Sequence, residues 1–468
     1  MTGLVFTTTI SCGNDFLDEP QPTDQVTDAT IYGSVEGATA YMAGIVRRTR
    51  GQYTNVDTGN LGSMFFARTV KGNDIIQASS WFRFDYDNDN REPTYRRTVF
   101  TWQFPYDIIG KLNVFIKGVN NSTSLSAADK DYLLGQAYAF RGFMYFQLSM
   151  EFQHTYTYDK TLPAPPIYTD ITTEGKPMST QEEMYKFILS DLTTAVNIAS
   201  SARIDKSYFN KESAAAVLAQ VHQVMGNWAD ASKYAKIAYG NNVATALDAT
   251  AYRNGFNDMN ANKEWLLASP QSEDQSAYYW TAPFAFIDHT TTTSYYATYI
   301  NADFVSKFSN TDVRNLFVAS STITNPADFR RYTTRKFKFN FGSDVPLIRT
   351  AEMILIDAEA LARTPGKEAE AHDLLYALQK NRDVNAVKST NTGAALIDEI
   401  LLERRKELYA ENGVEWFDAK RLRKGITRTG NHRIFKNLSA DDKRFFLKVP
   451  QSEIDANESI DDTVNKDR

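Results

Sequence analysis

Residues 213–239 read SAAAVLAQVHQVMGNWADASKYAKIAY, and this stretch limits the fold more than any other. Ala215, Leu218, Ala219 and His222 recur at helical spacing, Gly226 interrupts, and Ala231, Ala235 and Ala238 resume the pattern. The spacing is that of a tetratricopeptide helical hairpin. Ala219 and Ala231 let two helix backbones approach closely, and Gly226 supplies the turn between them. Trp228 opens the second helix and can cap the core under that turn. Such a hairpin cannot bury its apolar faces alone, so it demands neighbours of the same kind.

The rest of the chain supplies them. Helical patterns run over residues 31–50, 102–120, 127–152 and 179–199, while 60–68 reads equally as helix or apolar loop. Ser126 with Asp129 starts one helix, and Ser179 with Glu182 or Thr180 with Glu183 forms a capping box for the next. A second hairpin spans 347–383, with Gly366 at its turn, and an amphipathic helix covers 396–413 with Asn412-Gly413 as its C-cap. Arg141 falls within an apolar stripe formed by Leu134, Ala137, Tyr138, Met144, Tyr145, Leu148 and Phe152, so a buried partner is required. The expected fold is mainly α: about four tetratricopeptide-like helical pairs, long irregular loops and a few short strands.

Three insertions interrupt the helices, near 71–100, 153–178 and 243–345. Long ordered loops on a helical scaffold are often functional. Aromatic residues reach 13% of the chain, more than a helical repeat core needs, and they crowd into the first and third insertions. Asp85, Asp87 and Asp89 superficially resemble a calcium loop, but Asn90 and Arg96 stand where that loop needs Gly and Glu. Thr333–Phe341 alternates as a strand does.

A net charge of −6 argues against a nucleic-acid partner. The five histidines, His154, His222, His289, His372 and His432, lack metal-ligand spacing, and no nucleotide-binding or nucleophile-elbow motif occurs, so neither cofactor nor catalysis is expected. Residues 1–11 read as the remnant of a signal peptide, ending at Cys12, the only cysteine. Residues 12–30 then form a lipidated tether and 31–468 a single domain. The alternatives are a protein-interaction scaffold without sugar binding and a glycoside hydrolase, whose carboxylate pair is a spatial feature.

Several segments, in order, carry a more specific likeness. FLDEP follows Cys12, AYAFRGFMYFQL occupies 137–148, and IRTAEMILIDAEAL, Glu403–Leu408, Gly413–Arg421 and Val449–Asn457 fill the C-terminal half. Together they resemble the SusD/RagB family of Bacteroidota surface lipoproteins. That resemblance implies a nutrient-binding protein, most often for oligosaccharide, anchored to the outer membrane and partnered by a SusC-like TonB-dependent transporter. The charged signature residues Glu352, Glu359, Glu403, Arg404, Arg405, Glu407, Asp418 and Arg421 have the spacing of internal ion pairs, and Lys420–Lys424 reads as a solvated basic face.

Sugar rings present apolar faces rimmed by hydroxyls, so a site needs exposed aromatic planes with fixed polar groups beside them. Trp102, Trp228, Trp265 and Trp416 lie in or next to helical segments and are assigned to packing. The two remaining tryptophans sit in the long loops. The candidate stacking residues are therefore Trp81, Tyr86, Tyr279, Trp280 and Tyr296, with Asp74, Arg83 and Asn88 as polar partners.

Overall fold

The computed structural model describes residues 28–50, 55–273 and 284–468. Cys12, Tyr279 and Trp280 lie outside them, as does most of the expected tether.

The longer helices are α1 (Val35–Arg47), α2 (Leu61–Thr69), α3 (Arg96–Asn121), α4 (Ala127–Phe152), α5 (Gln181–Ile198), α6 (Lys211–Met225), α7 (Trp228–Tyr239), α8 (Thr350–Ala362), α9 (Glu368–Arg382), α10 (Gly393–Leu408) and α11 (Val414–Arg421). Their starts are chemical. Capping boxes join Ser126 to Asp129, Thr180 to Glu183 and Asn210 to Ser213, satisfying N–H groups that lack an intrahelical partner. Gly226 and Gly240 end α6 and α7 in the left-handed region, at φ 75° and 71°.

Four pairs result: α1 with α3, α4 with α5, α6 with α7, and α8 with α9; α3 also packs on α4, α5 on α6 and α7 on α8. Ala215, Ala219, Ala231 and Ala235 are fully buried, as close helix approach requires. Ala231→Leu should therefore overpack the hairpin and lose about 1–3 kcal/mol. Lys233→Gln should stay within about 0.5 kcal/mol. Thermal melts of both variants check this, and equal melting would contradict the packing.

Every residue of α8 is buried, the mark of a helix enclosed on all sides. Its acids survive burial because each has a partner. Gln220 donates to Glu352 at 2.9 Å, Ser232 and Tyr239 donate to Asp357 at 2.6 and 2.8 Å, and Arg421 holds Glu359 at 2.7 and 3.0 Å. Arg141 is likewise structural: it grips Asp191 at 2.7 and 2.8 Å and Asn113 at 2.8 Å.

The long insertion is fastened to the helices by charge. Glu407 of α10 lies within 3.1 Å of Arg314, Arg349 and Arg382. Glu264 and Glu411 complete the contacts of Arg349, and Lys336 reaches Glu411 at 2.6 Å. Among the described residues the strands form two-stranded ladders: β1 (Ile75–Gln77) with β5 (Thr298–Ile300), β2 (Pro163–Ala164) with β3 (Ser179–Thr180), β4 (Trp265–Ser269) with β8 (Val345–Arg349), and β6 (Phe317–Ala319) with β7 (Tyr332–Thr334).

Several boundaries differ from the sequence reading. The second hairpin begins at Thr350, because Val345–Arg349 is a fully buried strand paired with β4; short apolar runs read alike as helix or strand. The expected strand at 333–341 ends at Thr334, beyond which Lys336 turns inward to the carbonyls of Glu407 and Tyr409 at 3.2 and 2.9 Å. Helix α10 stops at Leu408, and Gly413 (φ 69°) opens α11 instead of capping α10. A side chain at Gly413 would meet the Cβ of Arg68 at 2.4 Å. The basic run is not a solvated face throughout, since Lys420 and Arg421 are buried. Trp228 is half-buried, with the Arg363 guanidinium 4.7 Å from its ring centre.

Candidate functional site

The β1–β5 ladder determines which loops meet. Its antiparallel register pairs Ile75 with Ile300 and Gln77 with Thr298, and the Ala78 N–H donates to the Ala297 carbonyl at 2.7 Å just beyond it. The chain leaving β1 and the chain entering β5 therefore emerge at one end. Trp81 and Tyr296, far apart in sequence, sit on these two loops. Their base is firmly held. Arg405 grips Asp74 at 3.1 and 2.5 Å, Glu415 accepts from the Asn73 and Asp74 N–H groups at 2.6 and 3.1 Å, and the Asn301 side chain donates to the Asn73 carbonyl at 2.8 Å.

Trp81 is 37% exposed, and the Arg96 guanidinium lies 5.9 Å from its ring centre. Tyr296 is 40% exposed and has φ 50°, unusual for a residue with a side chain. Hydrogen bonds of its neighbours fix that conformation: Tyr295 N–H to the Ala285 carbonyl at 2.7 Å and Ala297 N–H to the Phe286 carbonyl at 3.1 Å. Half-buried rings continue the surface. His289 lies 5.5 Å from Tyr296 and 5.0 Å from Tyr299, and Tyr299 packs edge-on to Phe329 at 5.6 Å. The His289 Nε2–H donates to the Thr298 carbonyl at 2.8 Å, and burial lowers the pKa of this imidazole. Phe84 and Phe435 stand out in solvent at 58% and 57% exposure.

Three sequence candidates do not belong to this surface. Tyr86 is completely buried; its hydroxyl bonds His432 Nδ1 at 2.8 Å, and the Arg428 guanidinium lies 4.0 Å from its ring centre. Asn88 is buried, with its side-chain amide 3.2 Å from the Lys436 carbonyl. Asp74 is the buried partner of Arg405. All three hold the loop from beneath, the usual fate of polar and aromatic groups that must anchor irregular backbone. Arg83 is exposed and 3.6 Å from Asp87. Asp85 is not free for a metal: Arg97 takes both its oxygens at 3.0 and 3.1 Å. Among the described residues no cluster of three metal-ligating side chains occurs.

His432 explains how the anchor holds. Its Nε2 lies 2.7 Å from the Asn73 carbonyl, which can only accept, so Nε2 carries the hydrogen and Nδ1 accepts from Tyr86. Burial lowers its pKa from 6.5 to about 4. The unfolded chain therefore takes up a proton between these values while the fold does not, and stability falls as pH drops from 6.5 toward 4. We expect His432 to contribute about 2–3 kcal/mol to that fall. Urea titrations across this range should show a shallower pH slope in His432→Gln; an unchanged slope would contradict the assignment.

Phe84, Phe329 and Phe435 were not candidates from the sequence. Phe84 lies in the aromatic stretch already singled out, whereas the others lie in irregular segments with no periodicity to expose their direction. A second cleft, of about 450 Å³, lies between α3 and residues 168–172, but its tyrosines Tyr106 and Tyr168 are half-buried and meet edge-on at 5.8 Å. It offers no exposed pair of ring faces.

Residues 15–222 match a family profile described as SusD-like, starch-binding and associating with the outer membrane, and residues 257–464 match the SusD family profile. The chain belongs to the SusD family. A SusD-like carbohydrate binding protein from Bacteroides vulgatus is 23% identical, with a TM-score of 0.82 over 92% of this chain and 98% of that one. A SusD superfamily protein from Bacteroides thetaiotaomicron is 22% identical, with a TM-score of 0.80 over 91% and 99%. A putative sugar binding protein from Bacteroides vulgatus is 20% identical, with a TM-score of 0.78 over 91% and 97%. At these identities the likeness to the solved structures is one of fold. No curated protein matches the chain.

Proposed function

We propose that this SusD-family protein binds oligosaccharide at the cell surface and delivers it to a SusC-like TonB-dependent transporter in the outer membrane. The observation that carries the binding reading is the exposure of Trp81 and Tyr296 at one end of the β1–β5 ladder, on loops anchored by buried ion pairs and hydrogen bonds. Rigid ring faces bind sugar C–H surfaces with little loss of side-chain entropy. The family description and the titles of the similar structures support carbohydrate as the ligand class. The proposed role is binding, and the pairing of Asp57, Asp74, Asp85 and Asp328 with arginines supports it by engaging these four carboxylates in structure.

A glycan array followed by calorimetry tests this on protein without any partner. Trp81→Ala and Tyr296→Ala, both shown to fold, should each weaken the array-identified ligand about tenfold, as expected for a lost stacking contact. Unchanged binding in both places the site elsewhere, and an absence of any glycan binding favours the interaction-scaffold alternative.

Attachment is proposed to run through Cys12. Among the described residues no helix is long and apolar enough to cross a membrane. Labelled fatty acid should incorporate into the wild type in its native host, and Cys12→Ala should release the protein from membranes. Retention of the variant in the outer-membrane fraction, without labelling of the wild type, would overturn the tether.

A further inference from the structure

We infer that the oligosaccharide recognised here is acidic, and that Arg433 reads its carboxylate or sulfate. This rests on the carbohydrate-binding reading above and narrows its ligand class.

The inference comes from sorting the cations around the rings by what neutralises them. Arg96, beside Trp81, holds both oxygens of Asp57 through Nε and Nη2, at 3.1 and 2.9 Å. Arg330, 5.6 Å from the Phe329 ring centre, holds Asp328 through the same two nitrogens at 3.0 and 2.8 Å. Arg83 leans on Asp87 at 3.6 Å. Arg433 differs. It is exposed and has no carboxylate partner among the described residues.

Arg433 is nevertheless fixed in place. Its Nη1 donates to the Ala78 carbonyl at 3.2 Å, with the Gln77 carbonyl at 3.4 Å, and its guanidinium stands 5.6 Å from the Phe329 ring centre. The Ala78 contact ties it to the end of β1 from which the Trp81 loop departs, and Phe329 ties it to Tyr299 and, through His289, to Tyr296. Only Nη1 is used; Nε and Nη2 find no acceptor among the described residues. That free edge is the one by which Arg96, Arg97 and Arg330 each take a carboxylate in both-oxygen contact. A planar fork held by backbone carbonyls and left open on its binding edge matches a carboxylate or sulfate. Holding it beforehand reduces the ordering cost of binding.

The test uses oligogalacturonate, chondroitin sulfate and heparan sulfate oligosaccharides, each against its neutral form (carboxyl-reduced and, for the sulfated members, desulfated with amines N-acetylated), measured by calorimetry at low and high salt. At least one acidic member should bind about tenfold tighter than its neutral form, with affinity falling as salt rises. Arg433→Met should abolish that preference while changing the neutral form's affinity by no more than about twofold, and Arg433→Lys should recover part of it. Thermal melts confirm that both variants fold. Equal affinity for acidic and neutral forms, or a preference surviving in Arg433→Met, overturns the inference while Trp81 and Tyr296 dependence keeps the platform. Binding that ignores Trp81→Ala and Tyr296→Ala overturns the platform itself, and no binding by any acidic member overturns the inference while leaving the platform to the glycan array.

Discussion

Glu407→Gln is expected to lose about 3–5 kcal/mol of stability, because it removes a carboxylate shared by three buried guanidiniums. Glu407 is fully buried, and burial itself pushes its carboxyl up. The guanidiniums of Arg382, Arg349 and Arg314 outweigh that and hold it well below the usual carboxylate range. The surrounding network is balanced. Arg314, Arg349, Arg382, Lys336 and Lys406 are five cations facing five carboxylates, Asp312, Glu264, Glu403, Glu407 and Glu411. The glutamine keeps the shape and leaves one buried cation uncompensated. Against a typical total of about 5–15 kcal/mol, such a loss brings the domain close to unfolding at ordinary temperature. Denaturant titration measures it. Neutralising Arg382 as well, in Glu407→Gln with Arg382→Gln, should recover part of the loss through coupling within one network. A single variant as stable as wild type would show that the network contributes little.

Arg141→Met comes next, also at about 3–5 kcal/mol, because it leaves Asp191 buried without its partner. Burial pushes the Asp191 carboxyl up even beside Arg141, whose hydrogen bonds and charge pull the other way. Without the arginine the carboxyl rises further. A folded-state pKa above the unfolded value means the folded variant binds the extra proton, so its deficit should shrink as pH falls toward 4. A deficit independent of pH would point to lost packing of the arginine stem instead. Ser126 and Thr180 begin the two helices that this pair ties together, so the prediction tests a link between α4 and α5.

The helices were legible in the sequence because their signals are local. Capping residues, a 3.6-residue repeat and turn glycines act over one or two turns, and Ser126, Thr180 and Gly226 perform the roles their positions announce. The candidate site was legible only in part. Trp81 and Tyr296 are exposed, but Tyr86 occupies the same aromatic stretch and is buried against His432, more than three hundred residues away. No window of sequence around Tyr86 contains His432, so nothing local separates an anchor from a platform. Arg433 is the converse case: an unremarkable arginine in a loop until Ala78 and Phe329 are brought beside it.

Residue order alone was enough to give the helical-pair scaffold, the place of its insertions and the need of Arg141 and the C-terminal charges for buried partners, since periodicity, capping and the cost of burying a charge are written in neighbouring residues. Which partner each charge found, which aromatic rings face solvent and which guanidinium edge meets no carboxylate among the described residues were decided by the tertiary structure alone. The β1–β5 register and the Glu407 network join segments hundreds of residues apart, and burial is a property of what packs against a residue, not of the residue itself.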